Sequence, residues 1–182
     1  MKQLVLLGLG ANTPGHWGAP RETLVRACQE LDRLGVRVTQ ASALYLTPPF
    51  GPGAQNFYEN CVISVDTGRN PEALLKLVKG IERAAGRRSG RRWSPRPLDI
   101  DIVDFKGRVA NLPGRLAAGS DGRLVLPHRS IVERAFVLLP LRDIAPAWRH
   151  PANRLSAGQM LKRLQGDCAD IKLIAKDWRF AR

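Results

Sequence analysis

Negative charge is scarce in this chain. Only 16 aspartates and glutamates stand against 29 lysines and arginines, for a formal net charge of +13 at pH 7. Such an excess implies an anionic partner: nucleic acid, an acidic membrane or a phosphorylated small molecule. Cysteine is rarer still. Cys28, Cys61 and Cys168 are odd in number and widely separated, which excludes a disulfide framework and metal-ligand spacing. We read Cys28 and Cys61 as small core hydrophobes in a reducing compartment. Long apolar runs are also missing. None approaches the roughly 20 residues needed to span a bilayer, and the apolar start ends at Gly8, too early for a signal sequence. The expectation is a cytoplasmic protein with no membrane partner. Several nucleotide-binding signatures are absent too. There is no G-x-x-x-x-G-K-[ST] loop and no protein-kinase H-R-D or D-F-G set, and Gly8-Leu9-Gly10 lacks the third glycine of a dinucleotide fingerprint.

What remains is an ordinary supply of core residues: 44% of the 182 residues are hydrophobic. That length and composition suit a single domain spanning 1–182. Leu4 to Leu7 reads as a buried strand ended by a glycine turn at Gly8 to Asn12. Pro20 opens a helix whose apolar stripe is Leu24, Cys28, Leu31 and Leu34, and Gly35 stops it. Val36 to Tyr45 reads as one strand, Thr47 to Gly53 as a stiff proline-rich loop, and Phe57 to Asp66 as a third strand. Asn70-Pro71 starts a second helix with Leu74, Leu75, Leu77, Val78 and Ile81 on its buried face. Leu98 to Ile102 alternates strictly and is the fourth strand. This order predicts an α+β protein with a ferredoxin-like βαββαβ core and an antiparallel sheet. Additional C-terminal helices follow at Arg129 to Leu139, ending before Pro140, and at Ala157 to Leu164. The glycine-rich segment 106–123 reads as an exposed excursion.

Chemistry concentrates around Asp99-Ile100-Asp101. On a strand, alternate residues face the same way, so the two carboxylates stand on one face, roughly 7 Å apart. Left unpaired they repel, and a divalent cation between them relieves the repulsion. Mg²⁺ takes one or two carboxylates together with substrate phosphates. Just upstream lies a basic loop carrying Arg87, Arg88, Arg91, Arg92 and Arg96, and arginine grips phosphate oxygens in a bidentate fork. Acid pair and arginine loop together point to phosphoryl or pyrophosphoryl transfer, where catalysis is mostly positioning and charge neutralisation. His128, followed by Arg134 on the next turns, is a further phosphate-facing candidate. A basic RNA-binding module on the same scaffold is the competing reading, with Trp93 among the arginines in its favour. Against it, paired aspartates repel a nucleic-acid backbone.

The segment Arg92-Trp93-Ser94-Pro95-Arg96-Pro97-Leu98-Asp99-Ile100-Asp101-Ile102 resembles the signature of the 6-hydroxymethyl-7,8-dihydropterin pyrophosphokinases of folate biosynthesis. Gly10-Ala11-Asn12, the Tyr45 to Gly51 region, Tyr58-Glu59-Asn60, and Leu126-Pro127-His128 with Arg134 and Phe136 resemble that family's other motifs, in the same order. The resemblance implies transfer of the β,γ-pyrophosphate of ATP to the pterin's hydroxymethyl oxygen, releasing AMP. It implies Asp99 and Asp101 as ligands of two Mg²⁺ ions, and Arg87 and Arg96 as catalytic arginines. His128, Arg134, Arg87 and Ile102 would bind ATP. Tyr58 and Phe136 would sandwich the pterin, with Thr47, Pro48, Phe50, Asn60 and Trp93 completing its site. The implied partners are small molecules, with no nucleic acid, and the implied state is a monomer. A degenerate relative that binds pterin or nucleotide without turnover is the third reading.

Overall fold

The computed structural model describes residues 4–49, 56–87, 96–112, 124–164 and 170–180. Strand β1 (Val5–Ala11) is followed by α1 (Pro20–Arg33), β2 (Arg37–Ala41), β3 (Leu44–Thr47) and β4 (Tyr58–Asp66). Then come α2 (Pro71–Ala84), β5 (Asp99–Phe105), α3 (Ala135–Ile144), α4 (Ala157–Arg163) and β6 (Lys172–Ala175). The strands form one antiparallel sheet in the order β5-β1-β4-β3-β6, with β2 also pairing to β4. The expected ferredoxin-like arrangement is therefore present.

Capping signals in the sequence act as expected. The Asn70 side chain accepts from the Ala73 amide at the start of α2, with Pro71 in the first turn. Gly35 takes a positive φ of 77° just beyond α1, a conformation that costs a Cβ-bearing residue energy. Cys28 and Cys61 are both buried in the core, as read from the sequence.

The two faces of the sheet have different loads. Val5, Leu7, Leu9 and Ala11 of β1 face α1 and α2, where Leu24, Leu31, Leu74 and Val78 are fully buried. On the opposite face Leu6, Val62 and Val103 pack under α3 and α4 with Leu138, Leu141, Trp148 and Met160. That second face is apolar at one end only. Continuing along it by twos leads to Gly8 and Gly10 on β1, Asn60 and Tyr58 on β4, and Asp101 and Asp99 on β5. The register sets Gly10 beside both Asn60 and Asp99, and Gly8 beside both Val62 and Asp101.

Four expectations need correction. Gly8 to Ala11 is not a turn: β1 runs through both glycines to Ala11. The stretch read as one strand from Val36 to Tyr45 is two strands. Ser42 interrupts them and continues the ladder with its side chain, its Oγ accepting from the Val62 amide at 3.0 Å. The helix expected to stop before Pro140 continues to Ile144. Proline removes one helical hydrogen bond, but Leu138 and Leu141 on either side of it are both fully buried, and their packing holds the helix. The C-terminal region also adds β6, which pairs with β3, and a short 3₁₀ turn whose Trp178 donates to the Ser42 carbonyl at 2.8 Å. The excursion at 106–123 is pinned at its base by a bridge between Ala110 and Leu126, and residues 113–123 lie outside the described part.

Candidate active site

The polar end of the second sheet face is the floor of a pocket. Gly8, Gly10, Asn60, Tyr58, Asp99 and Asp101 line it from below. Thr47 and Pro48 close one side, and Arg134 with Phe136 reach over it from the start of α3. Each element contributes for a local reason: alternation along β5 presents Asp99 and Asp101 together, while the α3 core contacts bring Arg134 and Phe136 across the sheet.

Asp99 is held by two guanidiniums. Arg87 Nη1 donates to Oδ1 and Arg96 Nη1 to Oδ2, each at 2.5 Å. Burial works to raise the Asp99 pKa, but Arg96, then Arg87 and Lys79, outweigh it and hold the carboxyl below its ordinary value. Asp101 Oδ2 lies 3.3 Å from Arg134 Nη1 and 3.6 Å from His128 Nε2. Burial pushes the His128 pKa down; Asp101 opposes the shift while Arg134 and Arg129 reinforce it. The Arg134 guanidinium also sits 5.6 Å from the Phe136 ring centre. Its Nε is buried without a hydrogen-bond partner among the described residues.

On the other side of the pocket, Asn60 and Thr47 form a buried pair, with Asn60 Nδ2 donating to Thr47 Oγ1 at 2.8 Å. The amide oxygen is thereby turned toward β1. A Cβ placed on Gly10 would come within 2.4 Å of it, so only glycine leaves room there. The two glycines read from the sequence as a turn are thus the smooth floor of the pocket. A G-x-G spaced by two within a strand is the sequence signal for this, since both residues then fall on one face.

Matches with known proteins fit this arrangement. Residues 6–146 match the family described as 7,8-dihydro-6-hydroxymethylpterin-pyrophosphokinase. The chain belongs to that family. A 2-amino-4-hydroxy-6-hydroxymethyldihydropteridine pyrophosphokinase of Methylorubrum extorquens is 43% identical over 141 residues, covering 77% of this chain and 81% of the relative. The enzyme of the same name from Pseudomonas aeruginosa is 38% identical over 155 residues, covering 85% and 88%. A solved structure of wild-type Plasmodium falciparum HPPK-DHPS with pteroate superposes with a TM-score of 0.71 at 14% identity. It matches 94% of this chain, which spans only 47% of that longer one, so the likeness speaks for the fold.

Within this pyrophosphokinase family member, the structure gathers most of the residues singled out from the sequence. Thr47, Pro48, Tyr58, Asn60, Arg96, Asp99, Asp101, Arg134 and Phe136 line the pocket. Arg87 and His128 reach it through the two aspartates. Ile102 does not arrive by its side chain, which is buried on the opposite face beneath the helices. Phe50 and Trp93 lie outside the described residues. Two contributors have no role assigned from the sequence. Asn12 holds the Arg96 backbone twice: its backbone N–H donates to the Arg96 carbonyl at 3.1 Å and its side-chain Oδ1 accepts from the Arg96 backbone N–H at 2.8 Å. Glu82 sits buried at the end of α2 with Arg87 on its carboxylate. Glu82 has no local pattern that marks it, and Asn12, though part of the Gly10-Ala11-Asn12 motif, has no spacing that announces its partner, because both act on residues distant in sequence.

Proposed function

We infer that this chain transfers the β,γ-pyrophosphoryl group of ATP to the hydroxymethyl oxygen of 6-hydroxymethyl-7,8-dihydropterin, giving AMP and the pterin diphosphate. Family membership carries the reaction. The observation that carries its assignment to this pocket is the juxtaposition on one sheet face of an acid pair ringed by cations and an amide-bearing aromatic slot.

In this reading Tyr58 and Phe136 stack on the flat pterin ring, and Asn60 Oδ1 accepts from its N–H edge. Thr47 and Pro48, with Phe50 and Trp93, complete that slot. Arg134, with its spare Nε–H, and His128 bind ATP phosphates, and the backbone at Ile102 contributes to the nucleotide site. Arg87 and Arg96 neutralise the pyrophosphoryl group as the pterin oxygen bonds to the β-phosphorus and the bond to the α-phosphate oxygen breaks. The hydroxyl proton leaves as AMP departs. Charge neutralisation of this kind in a water-poor pocket is the main source of rate in phosphoryl transfer.

The residues also suit Mg²⁺. Asp99 and Asp101 offer hard oxygen donors on one face, and no cluster of three or more potential metal ligands occurs among the described residues. The remaining ligands would then be phosphate oxygens and water, the set Mg²⁺ prefers. Asp99 and Asp101 would hold two such ions, which supply neutralisation of ATP charge when bound. We read residues 1–182 as one pyrophosphokinase domain acting as a cytoplasmic monomer on small molecules rather than on RNA. No helix among the described residues is long and apolar enough to cross a membrane.

The test is the identity of the nucleotide product. Protein supplied with MgATP and 6-hydroxymethyl-7,8-dihydropterin is expected to release AMP in step with pterin diphosphate. Release of ADP, or no turnover with ample metal, would overturn the assignment.

A further inference from the structure

Glu82 is a carboxylate that the reaction does not explain. It lies near the end of α2 with only 1% of its surface exposed, in a protein otherwise short of acid. A buried carboxylate is retained only where its hydrogen bonds are met. Here one oxygen, Oε1, collects three donors, each at 2.7 Å: Lys79 Nζ, Arg87 Nη1 and the backbone amide of Ile100. Burial pushes its pKa up, and Lys79, the Ile100 amide and Arg87 oppose that shift.

The three donors belong to different parts of the site. Ile100 is the residue between Asp99 and Asp101, and its amide points away from β1, off the free edge of the sheet. Glu82 therefore takes the place of a neighbouring strand at that point of β5. Arg87 Nη1 bridges Glu82 Oε1 and Asp99 Oδ1, so one nitrogen is shared by two carboxylates. Arg87 opens the basic loop read from the sequence. Without a second anchor its long side chain would pay a rotamer-entropy cost each time it met a phosphate.

We propose that Glu82 is a positioning residue for pyrophosphoryl transfer, fixing the Arg87 guanidinium over the acid pair through Oε1 while the same oxygen locks the β5 backbone. The inference rests on the reading of Arg87 as a phosphate-facing arginine. When the nucleotide draws Arg87 off Asp99, Glu82 keeps the guanidinium within reach.

The test is a kinetic double-mutant cycle. Glu82→Gln keeps an acceptor for the Ile100 amide and removes the charge that tethers Arg87. It is expected to lower kcat by roughly 10- to 100-fold, the worth of one charge-assisted hydrogen bond. KM for the pterin should hardly move. In an Arg87→Ala background the same change is expected to cost nothing further, whereas in an Arg134→Ala background it should cost its full factor. A merely structural Glu82 would cost the same in both backgrounds, and that result overturns the proposal, as does unchanged kcat in the single variant. A second measurement needs no variant: ¹⁵Nε relaxation of Arg87 in the nucleotide-free protein should show a restricted side chain, and a freely mobile one refutes the tether. If the unmodified protein makes no AMP, the functional reading fails instead, and the two failures are distinct.

Discussion

Replacing Gly10 with alanine probes the pterin slot without touching a charge. The new Cβ would lie 2.4 Å from Asn60 Oδ1, closer than any real contact, and 3.8 Å from Tyr58 Cδ1, an ordinary one. Asn60 is therefore what must yield. Its amide is buried and tied to Thr47, so turning it away breaks that bond at a cost of about 1 kcal/mol. Holding the side chain off its preferred rotamer costs about another 1 kcal/mol. Both costs fall on the folded protein before any ligand arrives; what binding loses is the Asn60 Oδ1 acceptor, which leaves a buried pterin N–H unmet at about 2 kcal/mol, or roughly 30-fold in affinity. Fold stability should fall by about 1 kcal/mol, because alanine in a strand recovers only roughly 0.5–1 kcal/mol of backbone entropy against those two costs. Titration calorimetry with the pterin and a non-reactive ATP analogue measures both affinities in one preparation. Pterin affinity should drop while nucleotide affinity stays within a factor of about two, since the arginine and His128 contacts lie on other elements. Unchanged pterin affinity in a folded variant, or an equal loss for both ligands, would refute the reasoning.

Two further outcomes follow from the same geometry. Asp101→Ala should leave the thermal unfolding midpoint nearly unchanged, because the side chain is about one-third exposed, and should cut turnover by roughly 10³-fold, the scale of metal-assisted charge neutralisation; rates within tenfold of the parent protein would exclude a metal role, and a chelator should mimic the substitution. His150 is a pH-sensitive point away from the site: burial lowers its pKa, partly offset by Asp104, and its Nδ1 accepts from the Ala152 and Asn153 amides at 3.2 Å. Since its pKa is lower in the folded than in the unfolded chain, acid favours unfolding, and its contribution is lost as pH falls below about 6.5. The unfolding midpoint of a His150→Asn variant should therefore fall less steeply between pH 7 and 5 than that of the parent, and identical slopes in a thermal-shift series would contradict this.

The amino-acid sequence by itself determined whatever has a short period or a local cap. Alternation at Asp99, Ile100 and Asp101 fixes two carboxylates to one strand face, and the structure keeps Ile100 fully buried between them. The Asn70-Pro71 start, the stripe of Leu24, Cys28 and Leu31, and the glycine at 35 set both long helices within a residue or two. What spacing could not say is which strands become neighbours. Gly10, Asn60 and Asp99 meet side by side only because β1 enters the sheet between β4 and β5, pairing with segments some fifty and ninety residues away. That pairing turned a supposed glycine turn into the floor of a pocket. It also left the β5 edge open for Glu82, whose importance depends on reaching an amide eighteen residues away across a helix–strand gap. Pro140 makes the same point from the other direction, since a local stop signal was overruled by the burial of Leu138 and Leu141. Local periodicity decides which way a side chain faces, because backbone geometry imposes it residue by residue; long-range packing decides what it faces, because only the folded chain brings those partners together.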